Sequence, residues 1–181
     1  MGSESLKYKE QVILVLKDAA TGKVLKRVES GPNIVTNAGD KYYAERGAAQ
    51  TPVRTFNAGM LVVAKSFTVA ATKVATFGRF VLGGTYSGRQ LFDAGYPKTA
   101  DSDTDNTGRT VDAVTYKRTY TTAQANYTIR ALGVCRLNAT TAAAAGSREL
   151  LNYKTLSAAQ VITKTSSQTL VAYINHTFNG V

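Results

Sequence analysis

Two side chains that could carry out nucleophilic catalysis occur once each in the chain. Cys135 is the only cysteine and His176 is the only histidine. A thiol and an imidazole can act together as nucleophile and base, but both residues lie in strand-like segments without the glycines of a catalytic motif. A buried small apolar residue and an ordinary strand histidine are the favoured interpretation. A single cysteine also excludes an intramolecular disulfide and a cysteine-based zinc site within one chain.

A polar segment carries the one pattern that suggests a metal site. Asp101, Asp103 and Asp105 alternate as in the opening of a calcium-binding loop. The next glycine is Gly108 rather than residue 106, and no glutamate occupies the closing position, where Asp112 is the nearest carboxylate. An EF-hand loop is therefore excluded, which leaves a solvated loop as the default and a looser calcium site at the three aspartates as the alternative. We predict no cofactor.

One segment predicts a short helix in a chain that otherwise has β patterning. Asn37 is a good N-cap residue, and Asp40 suits the exposed N–H groups and the positive end of the helix dipole. Gly47 is placed to end the helix, which gives a predicted helix over about residues 38–46. The alternative is an anion-binding helix N-terminus, which is disfavoured because Asp40 already occupies that end.

The rest of the chain is rich in the β-branched and apolar residues typical of strands. A hairpin is predicted from segments 8–16 and 23–28, which flank a loop that ends in glycine. The further predicted strands are 54–64, 75–82, 110–122, 127–137 and 169–178. We therefore predict a mainly β fold, an antiparallel, jelly-roll-like β-sandwich with one short helix. It forms a single domain over residues 1–181, with a flexible N-terminal arm of about seven residues.

The charge of the chain bears on its partners. The net charge is +10 and the isoelectric point is about 9.8, which suits nucleic acid or a protein with an acidic surface. The sequence has no dense run of lysine and arginine and no aromatic ladder of the RNA-recognition type, so the acidic protein is favoured. The apolar runs are too short to cross a membrane and no secretory signal is visible, so we expect synthesis in a cytoplasm and no membrane partner.

Three segments, in the same order along the chain, resemble segments of tailed-bacteriophage virion structural proteins. They are NIVTNAG at 33–39, TAQANYTIRALG at 122–133, and LLNYKTLS at 150–157 followed by VITKTSSQTLVAYINHTF at 161–178. Three features depart from the family pattern. Ala131 stands where glutamate is usual, Gln168 stands where aspartate is frequent, and the central G-T-G segment of the family is only partly present as GGT at 83–85. The resemblance implies a β-sandwich subunit and carries over no catalytic residue.

The resemblance also implies a place in the virion, after synthesis in the host cytoplasm. The leading expectation is a capsid decoration (cement) protein, because a basic subunit suits docking on an acidic capsid shell. A tail, tail-fibre or baseplate component is the alternative, followed by a nucleic-acid-binding β module and then by an enzyme. The expected partners are the major capsid protein or other virion proteins with acidic surfaces, and further copies of the chain, with a trimer favoured.

Overall fold

The computed structural model describes residues 11–48, 58–64, 73–99, 103–106, 113–137 and 148–177. The predicted N-terminal arm and Asp101 lie outside these residues. Within them the chain forms strands, two α-helices and a 3₁₀ turn. In chain order these are β1 (Gln11–Asp18), β2 (Val24–Ser30), β3 (Ile34–Val35), α1 (Asn37–Gly47), β4 (Ala58–Val63), α2 (Phe77–Val81), β5 (Gln90–Leu91), β6 (Lys98–Thr99), β7 (Ala113–Tyr120), β8 (Thr128–Ile129), β9 (Ala131–Leu137), β10 (Arg148–Thr155), the 3₁₀ turn (Ala158–Gln160), β11 (Ile162–Thr163) and β12 (Gln168–Thr177).

Two five-stranded sheets carry the fold. Sheet A has the strand order β2-β1-β12-β7-β6 and sheet B has the order β3-β10-β9-β4-β5, while β11 and β8 form a separate short pair. All of the pairings are antiparallel. The mainly β, antiparallel prediction is thus confirmed, and so is the first hairpin, which is formed by β1 and β2.

The core lies between the two sheets, because alternate residues of a strand point to the same face. Leu14 of β1 and Ile174 of β12 are fully buried in one cluster that also includes Met60 of β4 and Val134 of β9. Residues from both sheets therefore share one apolar interior, as a sandwich requires. Burial of this kind is the main stabilising contribution, at about 25 cal/mol for each Å² of apolar surface removed from water.

The segment predicted as a strand over residues 75–82 is instead helix α2, and the strand prediction is wrong there. Thr76 is the N-cap residue, and its side chain accepts a hydrogen bond from the Arg79 amide. Phe77 and Phe80 are three residues apart, so the helical turn places both on one face, and both are buried against the outer face of sheet B. Burial of two aromatic rings outweighs the strand propensity of a short phenylalanine- and valine-containing segment.

Helix α1 begins one residue earlier than predicted, and its N-cap is Thr36 rather than Asn37. The Thr36 hydroxyl accepts a hydrogen bond from the Gly39 amide at 3.0 Å and donates to the Leu150 carbonyl of β10. The position of Thr36 is fixed by this tertiary contact with the sheet, and Asn37 becomes the first helical residue. Asp40 lies in the first turn as predicted, where it forms an ion pair with Lys73 at 2.5 Å.

Gly39 lets helix α1 contact strand β10 directly. A Cβ atom added at this position would lie 2.1 Å from the Leu151 carbonyl oxygen, and 2.9 Å from a methyl group of Val35. Any side chain at residue 39 would therefore force the helix away from the sheet. The NIVTNAG segment is thus the point at which the helix is attached to sheet B.

Candidate functional site

The aspartate-rich segment forms a short turn that lies on the outer face of sheet A, and residues 103–106 are called the strap below. Asp103 organises the strap, since its Oδ1 accepts a hydrogen bond from the Asp105 amide at 3.0 Å and its carbonyl accepts one from the Asn106 amide at 2.8 Å. Asp and Asn commonly form such local turns. The turn directs successive polar side chains onto the sheet.

Each described carboxylate of the strap contacts a different lysine of sheet A. Asp105 forms an ion pair with Lys17 of β1 at 2.5 Å, and Asp103 forms one with Lys117 of β7 at 2.5 Å. The carboxylates therefore diverge toward two strands and do not converge as calcium ligands do. In the described ranges no group of three or more metal-ligating side chains is present. The third candidate, Asp101, lies outside the described residues.

A buried amide network fixes the end of the strap. The side-chain amides of Asn106 and Asn175 donate to each other's oxygens at 3.0 Å in both directions, and the Thr115 hydroxyl donates to Asn175 Oδ1 at 2.8 Å. All three residues are completely buried. Buried polar groups are stabilising when they are paired in this way, so Asn106 attaches the strap to the sheet through a network of amides and a hydroxyl.

The strap lies beside an apolar cluster on the outer face of sheet A. Ile13, Val15, Val171 and Tyr173 form this buried cluster, and Lys17 and Lys117 extend from the same face because strand residues alternate. Tyr173 links the strap to this cluster, because it lies close enough to Asp103 for the carboxylate charge to act on it.

The electrostatics of the strap favour ionised Asp103. Burial alone raises the pKa of this carboxyl, but the hydrogen bonds from Lys117 Nζ and from the Asp105 amide outweigh burial and lower the pKa to about 2. Burial and the neighbouring Asp103 charge raise the pKa of Tyr173. The strap is thus held by a carboxylate that stays charged in mild acid.

Cys135 and His176 are not brought together. Cys135 is buried on the outer side of sheet B, in the cluster with Phe77 and Phe80. His176 belongs to β12 in sheet A and stacks on Tyr43 of α1, with ring centroids 4.7 Å apart. The thiol and the imidazole therefore occupy separate clusters, and the interpretation as a buried small residue and a strand histidine agrees with their positions.

His176 is part of a polar cluster at the end of the sandwich where α1 lies. The Tyr43 hydroxyl accepts hydrogen bonds from Tyr116 Oη at 3.1 Å and from Asn152 Nδ2 at 3.3 Å. Burial lowers the pKa of His176 to about 4, against a smaller opposing effect of the Asp40 charge. The imidazole is therefore neutral at physiological pH and acts as an aromatic packing group.

A buried lysine was not anticipated from the sequence. Lys164 is 1% exposed, and its Nζ donates to Asn126 Oδ1 at 2.7 Å and to the Thr165 carbonyl at 3.2 Å. Burial lowers its pKa, and both acceptors are neutral. Lys164 thereby joins the turn before β8 to the turn before β12. No sequence pattern distinguishes it from a surface lysine.

The first hairpin exposes a basic and apolar segment, residues 23–26, which is called the basic hairpin edge below. Val24 and Leu25 are 46% and 48% exposed, and Lys23 and Lys26 flank them. Lys26 Nζ donates to the Val161 carbonyl at 2.8 Å. A hairpin strand was predicted here from the sequence, but the exposure of its apolar side chains was not. The sequence signal for this segment was the apolar pair Val24 and Leu25 between two lysines.

Comparisons with known proteins leave these features to be interpreted on physical grounds. A scan against protein-family models found no match, and searches of curated proteins and of solved structures found none. None of the helices in the described ranges has the length and apolar character that a membrane crossing requires.

Proposed function

We propose that this chain is a structural subunit of a bacteriophage virion and that it performs no catalysis. Its leading form is a capsid decoration protein, which docks on the major capsid shell and stabilises it. A tail, tail-fibre or baseplate component is the alternative. The resemblance of the three segments at 33–39, 122–133 and 150–178 supports both forms. In the folded chain the first segment contains β3 and the start of α1, and the second contains β8 and the start of β9. The third contains most of β10 and all of β12.

The observation that carries the proposal is how the chain uses its charges. Carboxylates are neutralised within the chain: Asp103, Asp105 and Glu149 each contact a lysine or an arginine. In contrast, Lys23 and Lys26 are exposed, and among the described residues neither meets a carboxylate. The surplus positive charge therefore remains at the surface, where it can attract an acidic partner.

The residues with reactive side chains serve the fold, which supports a role without catalysis. Cys135 and His176 are packed in separate clusters, and Asp103 and Asp105 hold the strap. A protein that binds partners without catalysis is expected to use its polar side chains to hold its own fold. Virion subunits act as symmetric oligomers that present one surface to a shell or tube, and a trimer is the favoured assembly.

The test is the copy number of the chain in purified particles of the phage that encodes it. A stained gel calibrated against the major capsid protein should show hundreds of copies for a decoration protein, and few or tens for a tail component. Particles that lack the chain would contradict the proposal. Analytical ultracentrifugation of the purified protein measures the oligomer, for which we expect a trimer.

Nucleic acid is the second candidate partner, because a net charge of +10 attracts phosphate backbones as well as acidic proteins. Binding of a DNA duplex at several salt concentrations discriminates between them. Steep salt dependence with a monomeric protein would favour the nucleic-acid module, while weak binding that is lost at physiological salt is expected for a virion subunit.

A further inference from the structure

Among the described residues, strand β2 is the edge of sheet A that remains open for pairing. The other sheet edges in the described residues end in the two-residue strands β3, β5 and β6, whereas β2 has seven residues. The free side of β7 beyond β6 is also occupied, because the Asp93 amide donates to the Lys117 carbonyl and Asp93 Oδ1 accepts from the Thr119 amide. An open edge strand is a ready template for another strand.

The open part of β2 can be located from its hydrogen bonds. The Glu29 carbonyl points away from β1, since it accepts a hydrogen bond from Gln160 Nε2 of the 3₁₀ turn at 3.1 Å. Inward and outward backbone groups alternate along an antiparallel strand, so the Arg27 amide and carbonyl point to the same open side. The 3₁₀ turn covers the end of β2 at Glu29 and Ser30, and the basic hairpin edge with Arg27 remains accessible.

The charges of the side chains around this open edge indicate which charge a partner would carry. Neither Lys23 nor Lys26 has a carboxylate partner among the described residues, and Lys26 donates a hydrogen bond to the Val161 carbonyl. The nearby acids are already engaged: Asp18 accepts hydrogen bonds from the Thr21 amide and hydroxyl, and Glu29 pairs with Arg27. The two lysines are thus available to an incoming negative charge.

We infer that the basic hairpin edge binds an extended acidic segment of a partner protein, which adds as a strand beside β2. Main-chain hydrogen bonds to Arg27 hold the segment, and its acidic side chains contact Lys23 and Lys26. This inference rests on the proposed function, which supplies the acidic virion protein. A second copy of this chain is disfavoured as the occupant, because strand-to-strand pairing of two β2 edges would bring like charges close together.

The probe is a fluorescein-labelled synthetic peptide of alternating glutamate and valine, with a lysine and valine peptide of equal length as its counterpart. Fluorescence anisotropy with the full chain at about 50 mM salt should show binding of the acidic peptide only, and weaker binding at physiological salt. Hydrogen exchange measured by NMR should slow at the Arg27 amide when the acidic peptide is present. That second readout reports backbone pairing without any substitution.

Two variants and a matched control complete the test. Lys23→Glu should weaken binding of the acidic peptide about fivefold or more. Arg79→Glu makes the same charge change at an exposed position of α2 and should leave binding within about twofold. Arg27→Pro removes the outward amide and should abolish binding; its fold is checked by NMR dispersion, because the Arg27 side chain also contacts Glu29 and the Asp105 carbonyl.

Several outcomes would overturn the inference. These are equal binding of the acidic and basic peptides, equal weakening by Lys23→Glu and Arg79→Glu, or unchanged exchange at the Arg27 amide with peptide bound. Self-association that Arg27→Pro abolishes would assign the edge to a second copy instead. Because these experiments use only purified protein and peptide, their failure is independent of the particle copy number that tests the proposed function.

Discussion

The outer faces of the two sheets are covered by opposite means. On sheet B, the aromatic rings of Phe77 and Phe80 in α2 are buried against the strands. On sheet A, the strap is held by ion pairs from Asp103 and Asp105 and by the buried amide of Asn106. The first cover depends on the hydrophobic effect, which is insensitive to moderate salt, whereas the second responds to salt and acid. One small domain can therefore be weakened on one face while the other face stays intact.

The largest expected effect comes from the aromatic cover. Phe80 is 1% exposed and packs beside Tyr153, with ring centroids 5.6 Å apart. Phe80→Ala should lower the free energy of unfolding by about 3–5 kcal/mol through lost burial and a cavity. Urea denaturation at low and high salt measures this loss, which should be equal at both. A loss below about 1 kcal/mol would mean that α2 does not depend on this ring.

The second largest effect is the loss of stability in acid that His176 causes in the interior, as distinct from the loss expected at the strap. Folded His176 has a pKa near 4, compared with 6.5 for an exposed histidine. The unfolded chain therefore binds a proton at a pH where the folded chain does not, and the free energy of unfolding decreases as pH falls from above 6.5 to about 4. The whole decrease is about 3 kcal/mol.

His176→Gln should remove most of this pH dependence. Urea denaturation at a series of pH values gives the slope for both proteins. An unchanged slope in the variant would show that another group titrates in this window.

A smaller effect is expected at the strap. The pKa of Asp103 is lowered from 3.8 to about 2, so its stabilising contribution is complete above pH 3.8 and is lost as pH falls through 2. Asp103→Asn should lower the free energy of unfolding at neutral pH by about 2 kcal/mol, and less at high salt. Glu29→Gln is the control, because its half-exposed ion pair with Arg27 is worth at most about 1 kcal/mol. Equal losses in the two variants would argue against the strap as a distinct ionic cover.

The smallest effect concerns α1, the third element that packs on the sheets. Thr36→Ala removes the cap at the Gly39 amide and should cost about 1–2 kcal/mol, whereas Asn37→Ala should cost less than about 0.5 kcal/mol. Thermal unfolding of the two variants ranks them directly. The reverse order would return the cap to Asn37.

The prediction of the fold from the sequence succeeded where local pattern and tertiary packing agree. Strands β1 and β12 carry apolar residues on both faces and were placed within a few residues. The segment at 75–82 was predicted wrongly because a five-residue helix has too few turns to show helical periodicity. The helix forms because Phe77 and Phe80 pack on the outer face of sheet B. A single sequence does not reveal that packing.

The prediction of the site was limited by the same lack of long-range information. Three alternating aspartates suggested metal ligands, yet the partners of Asp103 and Asp105 are Lys117 and Lys17. Lys17 is distant in sequence and no local pattern links it to the strap. The cap was misplaced by one residue because Thr36 is fixed by the Leu150 carbonyl, a contact that forms only when β10 is in place. The virion role and the acidic partner stay predictions.

The pairing of β1 with β12 has a consequence for synthesis of the chain. The ribosome makes the apolar strand β1 before the other described strands, and its partner β12 after them. Because domains generally complete folding only when their non-local contacts can close, the centre of sheet A forms after residue 177 has emerged. Until β12 has been made, β1 can pair with β2 on one side only, and its other side lacks its partner strand. A chaperone that binds extended apolar segments would have a target at residues 12–16.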